Sequence, residues 1–334
     1  MKDITVFIPV YNAESTIIKT LESLGKQDAD TIDRIIIIDD WSTDQSKKLI
    51  DEFAKKSKFF IEIRENKKPS WLAYKYNQIL NEIKTKYLIL MHADIVIQER
   101  NAITIYRDEI LKDPNTYSVC GLEKMNVETW DKYNFRLKLE RAPFVYDTIK
   151  KGWYHCCAWK FDMLDVAKVK EIWWFDSKKY FMAWEDWDLY LRIEENWWKI
   201  ARIQIKYDHL HSFDNTYSVK KFLMRKFRYR QATGVLLRNH HKGEYWKNPT
   251  LYIRLCITIA IILWVTELLL SWNYFILLLS VLLILFYTFH YCRLFLNKKY
   301  RDYRVLLMPF LFVYLILWGA YYLFDWLIKD KQTL

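Results

Sequence analysis

Residues Tyr87 to Ile95 read Tyr-Leu-Ile-Leu-Met-His-Ala-Asp-Ile, an apolar run that ends on an imidazole and a carboxylate two positions apart. A run this short, uncharged and rich in β-formers predicts a parallel strand buried on both faces. Ligands of open parallel sheets bind just beyond the carboxyl ends of the strands, and His92 and Asp94 stand there. Positions i and i+2 of an extended segment share a side, so both side chains converge on one ion or phosphate. An isolated His-x-Asp is more often an ordinary loop. Two further acidic clusters at the ends of apolar segments favour a site, and the donor types suit a divalent cation, Mn or Mg.

The preceding chain alternates strands with helices. Ile4 to Val10 and Arg34 to Asp40 are apolar runs, the second ending in paired carboxylates, and Phe59 to Ile63 is a third strand. Ser15 to Leu24 has helical spacing with Gly25 as its stop, Ser42 to Gln45 has capping-box spacing for a helix running toward Ser57, and Ser70 to Lys84 is a third helix. This alternation predicts a mostly parallel, doubly wound α/β sheet. It weakens after Asp113, with Tyr117 to Leu122 as the last clear strand before Ala201 to Ile205.

Four stretches occur in order over roughly the first 215 residues: Ile8-Pro9-Val10-Tyr11-Asn12-Ala13-Glu14, Ile38-Asp39-Asp40-Trp41-Ser42-Thr43-Asp44, His92-Ala93-Asp94, and Trp184-Glu185-Asp186-Trp187-Asp188-Leu189 with Arg192. Together they resemble the family-two glycosyltransferases, which have the Rossmann-like GT-A fold and use nucleotide-sugar donors. The resemblance implies that Asp39 and Asp40 accept hydrogen bonds from the nucleotide base or ribose, with Pro9, Tyr11 and Glu14 in the first nucleotide-facing loop and His92 and Ala93 at the donor. It implies that Asp94 and His92 hold a divalent metal, Mn or Mg, joined by a histidine from Asp208-His209-Leu210-His211, with His211 preferred over His209. Asp186, beside Glu185, is then the general base, and Asp188 and Arg192 form a supporting i, i+4 ion pair. The family usually carries Gly where Trp41 stands and Asp where His92 stands.

The net charge of +11 is concentrated. Between Thr216 and Asn248 there are nine Lys and Arg against Glu244 alone, immediately before long apolar segments. That position favours anionic lipid head groups over nucleic acid. Segments 251–270, 274–296 and 305–328 are each long enough to span a hydrocarbon core of roughly 30 Å. The basic loop 297–304 puts the catalytic domain on the cytosolic side with it. No signal peptide is expected, because Met1-Lys2-Asp3 leads straight into a strand. Five cysteines without zinc spacing predict neither structural disulfides nor a zinc site.

The sequence therefore predicts a GT-A catalytic domain over 1–215, a basic juxtamembrane segment over 216–248 and a three-helix transmembrane domain over 249–328. The expected protein is a multi-pass, membrane-bound inverting glycosyltransferase. It moves a sugar from a nucleoside diphosphate to a hydroxyl of a lipid-linked acceptor, contacts membrane lipids and binds no nucleic acid. The alternatives are a polyprenyl-phosphate sugar synthase and a non-catalytic nucleotide-binding membrane protein; sugar, nucleobase, lipid and oligomeric state are left open.

Overall fold

The computed structural model describes residues 2–66, 70–125, 127, 130–152, 154–155, 159–180, 183–210, 218–240, 278–279, 281–282, 284–286, 288–289, 293–300 and 304. Its strands are β1 (Ile4–Val10), β2 (Ile32–Asp39), β3 (Ile61–Glu65), β4 (Tyr87–Met91), β5 (Ile95–Ile97), β6 (Thr116–Met125), β7 (Tyr154–His155), β8 (Phe161–Asp165) and β9 (Lys199–His209). Its α-helices are α1 (Ile17–Gly25), α2 (Ser46–Ala54), α3 (Leu72–Glu82), α4 (Ala102–Leu111), α5 (Phe135–Lys151), α6 (Val166–Glu171), α7 (Glu185–Glu195) and α8 (Val219–Asn239). The chain divides into two units, residues 1–127 with 150–213, and residues 128–149 with 214–334.

The first unit is one sheet in the order β3-β2-β1-β4-β8-β6-β9-β5, with β7 beside β6. Its apolar strands are buried on both faces, and the alternation along each strand divides two cores. Ile4, Val6 and Ile8 of β1, Ile35 and Ile37 of β2, and Ile89 and Met91 of β4 pack with Ile17, Leu21 and Leu24 of α1 and Ile103 and Tyr106 of α4. Phe7, Ile36, Ile38, Leu88 and Leu90 point the other way, against Ala73, Tyr76, Ile79 and Leu80 of α3 and Leu189 and Ile193 of α7. Each large side chain so buried contributes about 1.5–3 kcal/mol, which anchors the strand ends where the polar residues emerge.

The expected mostly parallel sheet is corrected to a mixed one. β3, β2, β1 and β4 are parallel neighbours, as are β6 and β9. β8 runs antiparallel to both β4 and β6, β5 antiparallel to β9 and β7 antiparallel to β6. A parallel neighbour needs a crossover that brings the chain back to the same end of the sheet, as α1, α2 and α3 do after β1, β2 and β3; β8 instead lies between β4 and β6 and is antiparallel to both, so the pattern that predicts a parallel sheet does not extend to it. Gly121 lies where the β6–β9 register shifts, and a Cβ on it would meet the Ile205 carbonyl oxygen at 2.4 Å.

In the second unit Trp130, 2% exposed, packs edge-on to Tyr300 and tilted against Phe295, with ring centroids 5.6 and 5.8 Å away. The Arg293 guanidinium stacks over Tyr146 at 3.9 Å and the Arg304 guanidinium over Phe135 at 4.7 Å. No helix among the described residues is long and apolar enough to cross a membrane. The expected spans 251–270 and 305–328 lie outside the described residues, and 274–296 is described only in part. In that part Leu278, Leu282, Leu285, Phe286 and Phe289 are exposed.

Candidate active site and metal cluster

Beyond β4 the chain turns through His92, Ala93 and Asp94 into β5. The turn is pinned from three sides. The Ala93 carbonyl accepts from Thr16 and Thr20 Oγ1, both at 2.9 Å, the His92 N–H donates to the Lys160 carbonyl at 2.9 Å, and Leu210 N–H reaches the Asp94 carbonyl at 2.8 Å. The expected convergence of His92 and Asp94 is realised, and His209 at the end of β9 completes the group, with ligand atoms of all three within 4.8 Å of one another. His209 Nε2 lies 3.1 Å from Asp94 Oδ2, and His209 Nδ1 lies 2.6 Å from Glu123 Oε1. The structure thus places His209 in the cluster, whereas the preferred His211 lies outside the described residues.

Burial brings the His92 pKa down to about 4, so its ring is neutral and available as a ligand near neutral pH. Burial opposes ionisation of Asp94, but His209, His92 and Lys160 outweigh it and hold the carboxyl well below its ordinary range. Burial likewise works against a charged His209, yet Asp94 and Glu123 raise its pKa. Two imidazoles and one carboxylate are a donor set that fits a divalent transition ion.

A cleft of about 220 Å³ opens at this turn, lined by Pro9, Tyr11, Asn12, Ala13, Thr16, Leu72, His92, Ala93 and Asp94. Of the residues expected at the donor, Pro9, Tyr11, His92, Ala93 and Asp94 line it, while Glu14, Asp39 and Asp40 are not among the lining residues. The Glu14 carboxylate accepts from Gln45 N–H at 2.9 Å. Asp40 is braced by Lys75 Nζ at 3.0 Å, Asn66 Nδ2 at 2.7 Å and Ser70 N–H. Asp39 differs. One of its oxygens takes Ser42 N–H at 3.1 Å, and Oδ1 is buried with no hydrogen-bond partner among the described residues.

The expected capping box at Ser42 to Gln45 is not formed, because those residues tie the two loops together instead. Ser42 Oγ accepts Asn12 N–H at 2.9 Å and Asn12 Oδ1 accepts Thr43 N–H at 2.8 Å. The helix starts later, at Ser46, whose N–H reaches Asp44 Oδ1 at 3.0 Å. Trp41, standing where the family carries Gly, has φ +67°, the left-handed backbone that a glycine adopts without strain.

The second acidic centre opens α7, whose first turn holds Glu185, Asp186 and Asp188. The expected Asp188–Arg192 pair is present at 2.7 Å, and Arg192 also donates to the carbonyls of Ile172 and Trp174, which fixes the helix against the preceding loop. Glu185 and Asp186 have no such cation bonded to them among the contacts described. Burial and the neighbouring Asp186 charge push Glu185 up to about 8, and burial raises Asp186 as well. The two centres are in electrostatic reach of common residues. Tyr76 OH lies 3.3 Å from His92 Nε2 and its pKa is raised by burial and then by Glu185 and Asp186; Lys160 acts on both Asp94 and Asp186.

Glu123, Lys160 and Tyr76 carry none of the family's motif residues and were not singled out by the sequence. For Glu123 a signal exists, a single acid inside the otherwise buried strand Thr116–Met125.

The model of the family described as "Glycosyl transferase family 2" matches residues 5–173. The chain is 26% identical over 276 residues to a dolichyl N-acetyl-α-D-glucosaminyl phosphate 3-β-D-2,3-diacetamido-2,3-dideoxy-β-D-glucuronosyltransferase of Methanococcus voltae, covering 78% of this chain and 82% of that protein. It is 38% identical over 112 residues to a teichoic acid poly(glycerol phosphate) polymerase of Staphylococcus epidermidis, but that match covers 33% of this chain and spans only 15% of the polymerase. Among solved structures it resembles a mannosyltransferase of Pyrobaculum calidifontis in complex with GDP-Man and Mn2+, with TM-score 0.56 at 14% identity, covering 99% of this chain and 88% of that one. The family model spans half of the chain and includes the nucleotide-side loops, the His92–Asp94 turn and β8, and so the protein belongs to glycosyl transferase family 2 and is a glycosyltransferase.

Proposed function

We propose that the chain is an inverting, membrane-anchored glycosyltransferase that moves a sugar from a nucleoside diphosphate to a hydroxyl of a lipid-linked acceptor. One observation carries the reading. The His92–Asp94–His209 cluster and the Glu185–Asp186 pair lie within electrostatic reach of the same Tyr76 and Lys160, so a donor held at the first faces an acid–base pair at the second.

The donor lies in the cleft along Pro9, Tyr11 and Ala93. Asp39 Oδ1, a buried acceptor with no donor among the described residues, takes a hydrogen bond from the base or ribose. His92, Asp94 and His209 would hold a divalent cation, and two imidazoles favour Mn over Mg. When bound, such an ion neutralises the diphosphate and eases its departure. Asp186 removes the proton of the acceptor hydroxyl while that oxygen bonds to the anomeric carbon and the bond to the diphosphate oxygen breaks. One displacement inverts the centre. Burial and the neighbouring Asp186 charge push Glu185 up to about 8, so it keeps a proton near neutral pH.

The relative of Methanococcus voltae bears the name of an enzyme acting on a dolichyl-linked sugar phosphate, which supports a lipid-linked acceptor with a sugar hydroxyl. The apolar segments at 251–270, 274–296 and 305–328 anchor the chain, with the catalytic domain, about residues 1–215, and the basic segment 216–248 on the cytosolic face. The test is to incubate the full chain in detergent with a panel of nucleotide sugars and lipid-linked acceptors, with and without Mn2+, and to read products by mass. The expected product is an acceptor heavier by one sugar; hydrolysis of no donor and transfer to no acceptor would remove the reading.

A further inference from the structure

Glu123, on β6, is a carboxylate with no solvent exposure. Its Oε1 lies 2.6 Å from His209 Nδ1, and Lys160 Nζ donates to both its oxygens, at 3.0 and 2.9 Å. Burial alone would drive a proton onto such a group. The Lys160 ammonium, bonded to both oxygens, offsets that cost. The strands supply the alignment. His209 pairs with Met125 of β6, so Glu123 is its diagonal neighbour on the same face. A neutral imidazole that donates its Nδ1–H to a carboxylate presents a bare Nε2, and His209 Nε2 is the nitrogen facing Asp94.

We propose that Glu123, held by Lys160, is a positioning residue that fixes the tautomer and ring of His209, so that Nε2 is offered to a divalent cation beside His92 and Asp94. This rests on reading that cluster as a metal site. The test is titration of the full chain with Mn2+ alone, comparing wild type, Asp94→Ala, Glu123→Ala and Glu123→Gln. Glu123→Ala is expected to weaken Mn2+ binding by about 10–100-fold. Glu123→Gln, whose amide oxygen still accepts from Nδ1–H, is expected to stay within a few-fold of wild type. Wild-type affinity in Glu123→Ala, with binding lost in Asp94→Ala, overturns the role of Glu123 alone. Equal binding by wild type and Asp94→Ala overturns the metal reading and this proposal with it. Should Glu123→Ala not fold, nitrogen NMR of 15N-histidine-labelled wild type at alkaline pH decides: a proton on His209 Nδ1 supports the proposal and a proton on Nε2 overturns it.

Among the described residues tryptophan occupies the left-handed backbone region at six places, Trp41, Trp159, Trp173, Trp174, Trp184 and Trp197, with φ between 52° and 67°. The steric penalty for a residue with a Cβ, taken six times, is comparable to the whole net stability of an ordinary domain. Two of these residues stand at helix ends built for glycine. Trp197 N–H bonds to Glu194 O and Trp198 N–H to Ile193 O, both at 3.1 Å, the paired bonds of a Schellman turn after α7. After α6, Trp173 N–H bonds to Lys170 O at 3.5 Å and Trp174 N–H to Val169 O at 3.1 Å. The side chains of Trp197 and Trp173 are 93% and 88% exposed, so packing does not offset the strain. Trp41, 59% exposed, is the third such site. The chain has 6 Gly beside 16 Trp; ordinary usage of ~7% corresponds to about 23 Gly, a shortfall close to the tryptophan count.

We infer that positions 41, 173 and 197 carry glycine in the protein as its own cell makes it. UGA, a stop signal in most cells, is read as tryptophan in some genetic codes and as glycine in others, so one codon accounts for both residues. Peptide mass spectrometry of the protein isolated from the cell that encodes it tests this. Glycine masses at 41, 173 and 197, over UGA codons, are expected; tryptophan at these positions overturns the inference.

Discussion

His209 Nε2 lies 3.1 Å from Asp94 Oδ2, although 115 positions separate the two residues in the chain. The pairing of β5 with β9 brings them together, with Ile95 opposite His209. Replacing Asp94 by Ala is therefore expected to abolish transfer and metal-dependent donor binding, since the cluster has no second carboxylate. Chelation of wild type should do the same. Calorimetry of nucleotide binding with and without Mn2+ checks this, and full activity of Asp94→Ala in chelator contradicts it.

The Asp40–Lys75 pair is an ion pair with side chains only 8% and 7% exposed. Burial opposes ionisation of Asp40, but Asn66, Lys75 and Ser70 outweigh it and lower its pKa. Breaking a buried pair by removing one partner typically costs about 3–5 kcal/mol, because the other charge is left unpaired. Lys75→Met should destabilise the first unit by that order, and adding Asp40→Leu should recover part of the loss. Urea unfolding followed by tryptophan fluorescence measures both. A depressed Asp40 pKa adds stability above its unfolded value that is lost as pH falls through the folded one, so Lys75→Met should also be less acid-sensitive.

Glu185 has the opposite sign. Its folded pKa of about 8 lies above the ordinary 4.5, so the folded state holds a proton that the unfolded chain has released. Stability then falls as pH rises from about 4.5 to about 8. Glu185→Gln cannot titrate, and its advantage over wild type should grow across that window, on the order of 1–3 kcal/mol. Thermal midpoints at several pH values test this; parallel curves for the two proteins would contradict it.

The legible parts of the molecule are those where one physical signal dominates. β1, β2 and β4 are continuous apolar runs with no competing reading, and Asp188 and Arg192 are related by helix period alone. β8 was not legible because Asp162 and Asp165 interrupt Phe161–Asp165, although every residue in it is buried. The choice between His209 and His211 rested on two like residues two positions apart; the β9–β5 register sets His209 opposite Ile95, beside Asp94, and His211 lies outside the described residues. Glu123 was hidden for a related reason: its partners, Lys160 and His209, come from distant strands and loops, and no local spacing announces them. Trp41 marks the converse case, in which the local turn requires glycine and the residue present does not report it.

If Asp186 takes the proton of a hydroxyl acceptor, as proposed, Asp186→Asn removes that step. Asparagine keeps the size and much of the hydrogen bonding at the start of α7 but cannot act as a base. A positioned carboxylate contributes about 10²–10⁴-fold to such a step, so turnover on a lipid-linked sugar acceptor should fall by that factor with donor affinity little changed. A phosphate acceptor is already ionised and would hardly register the change. Near wild-type turnover by Asp186→Asn would contradict the account and point to a polyprenyl phosphate as the acceptor.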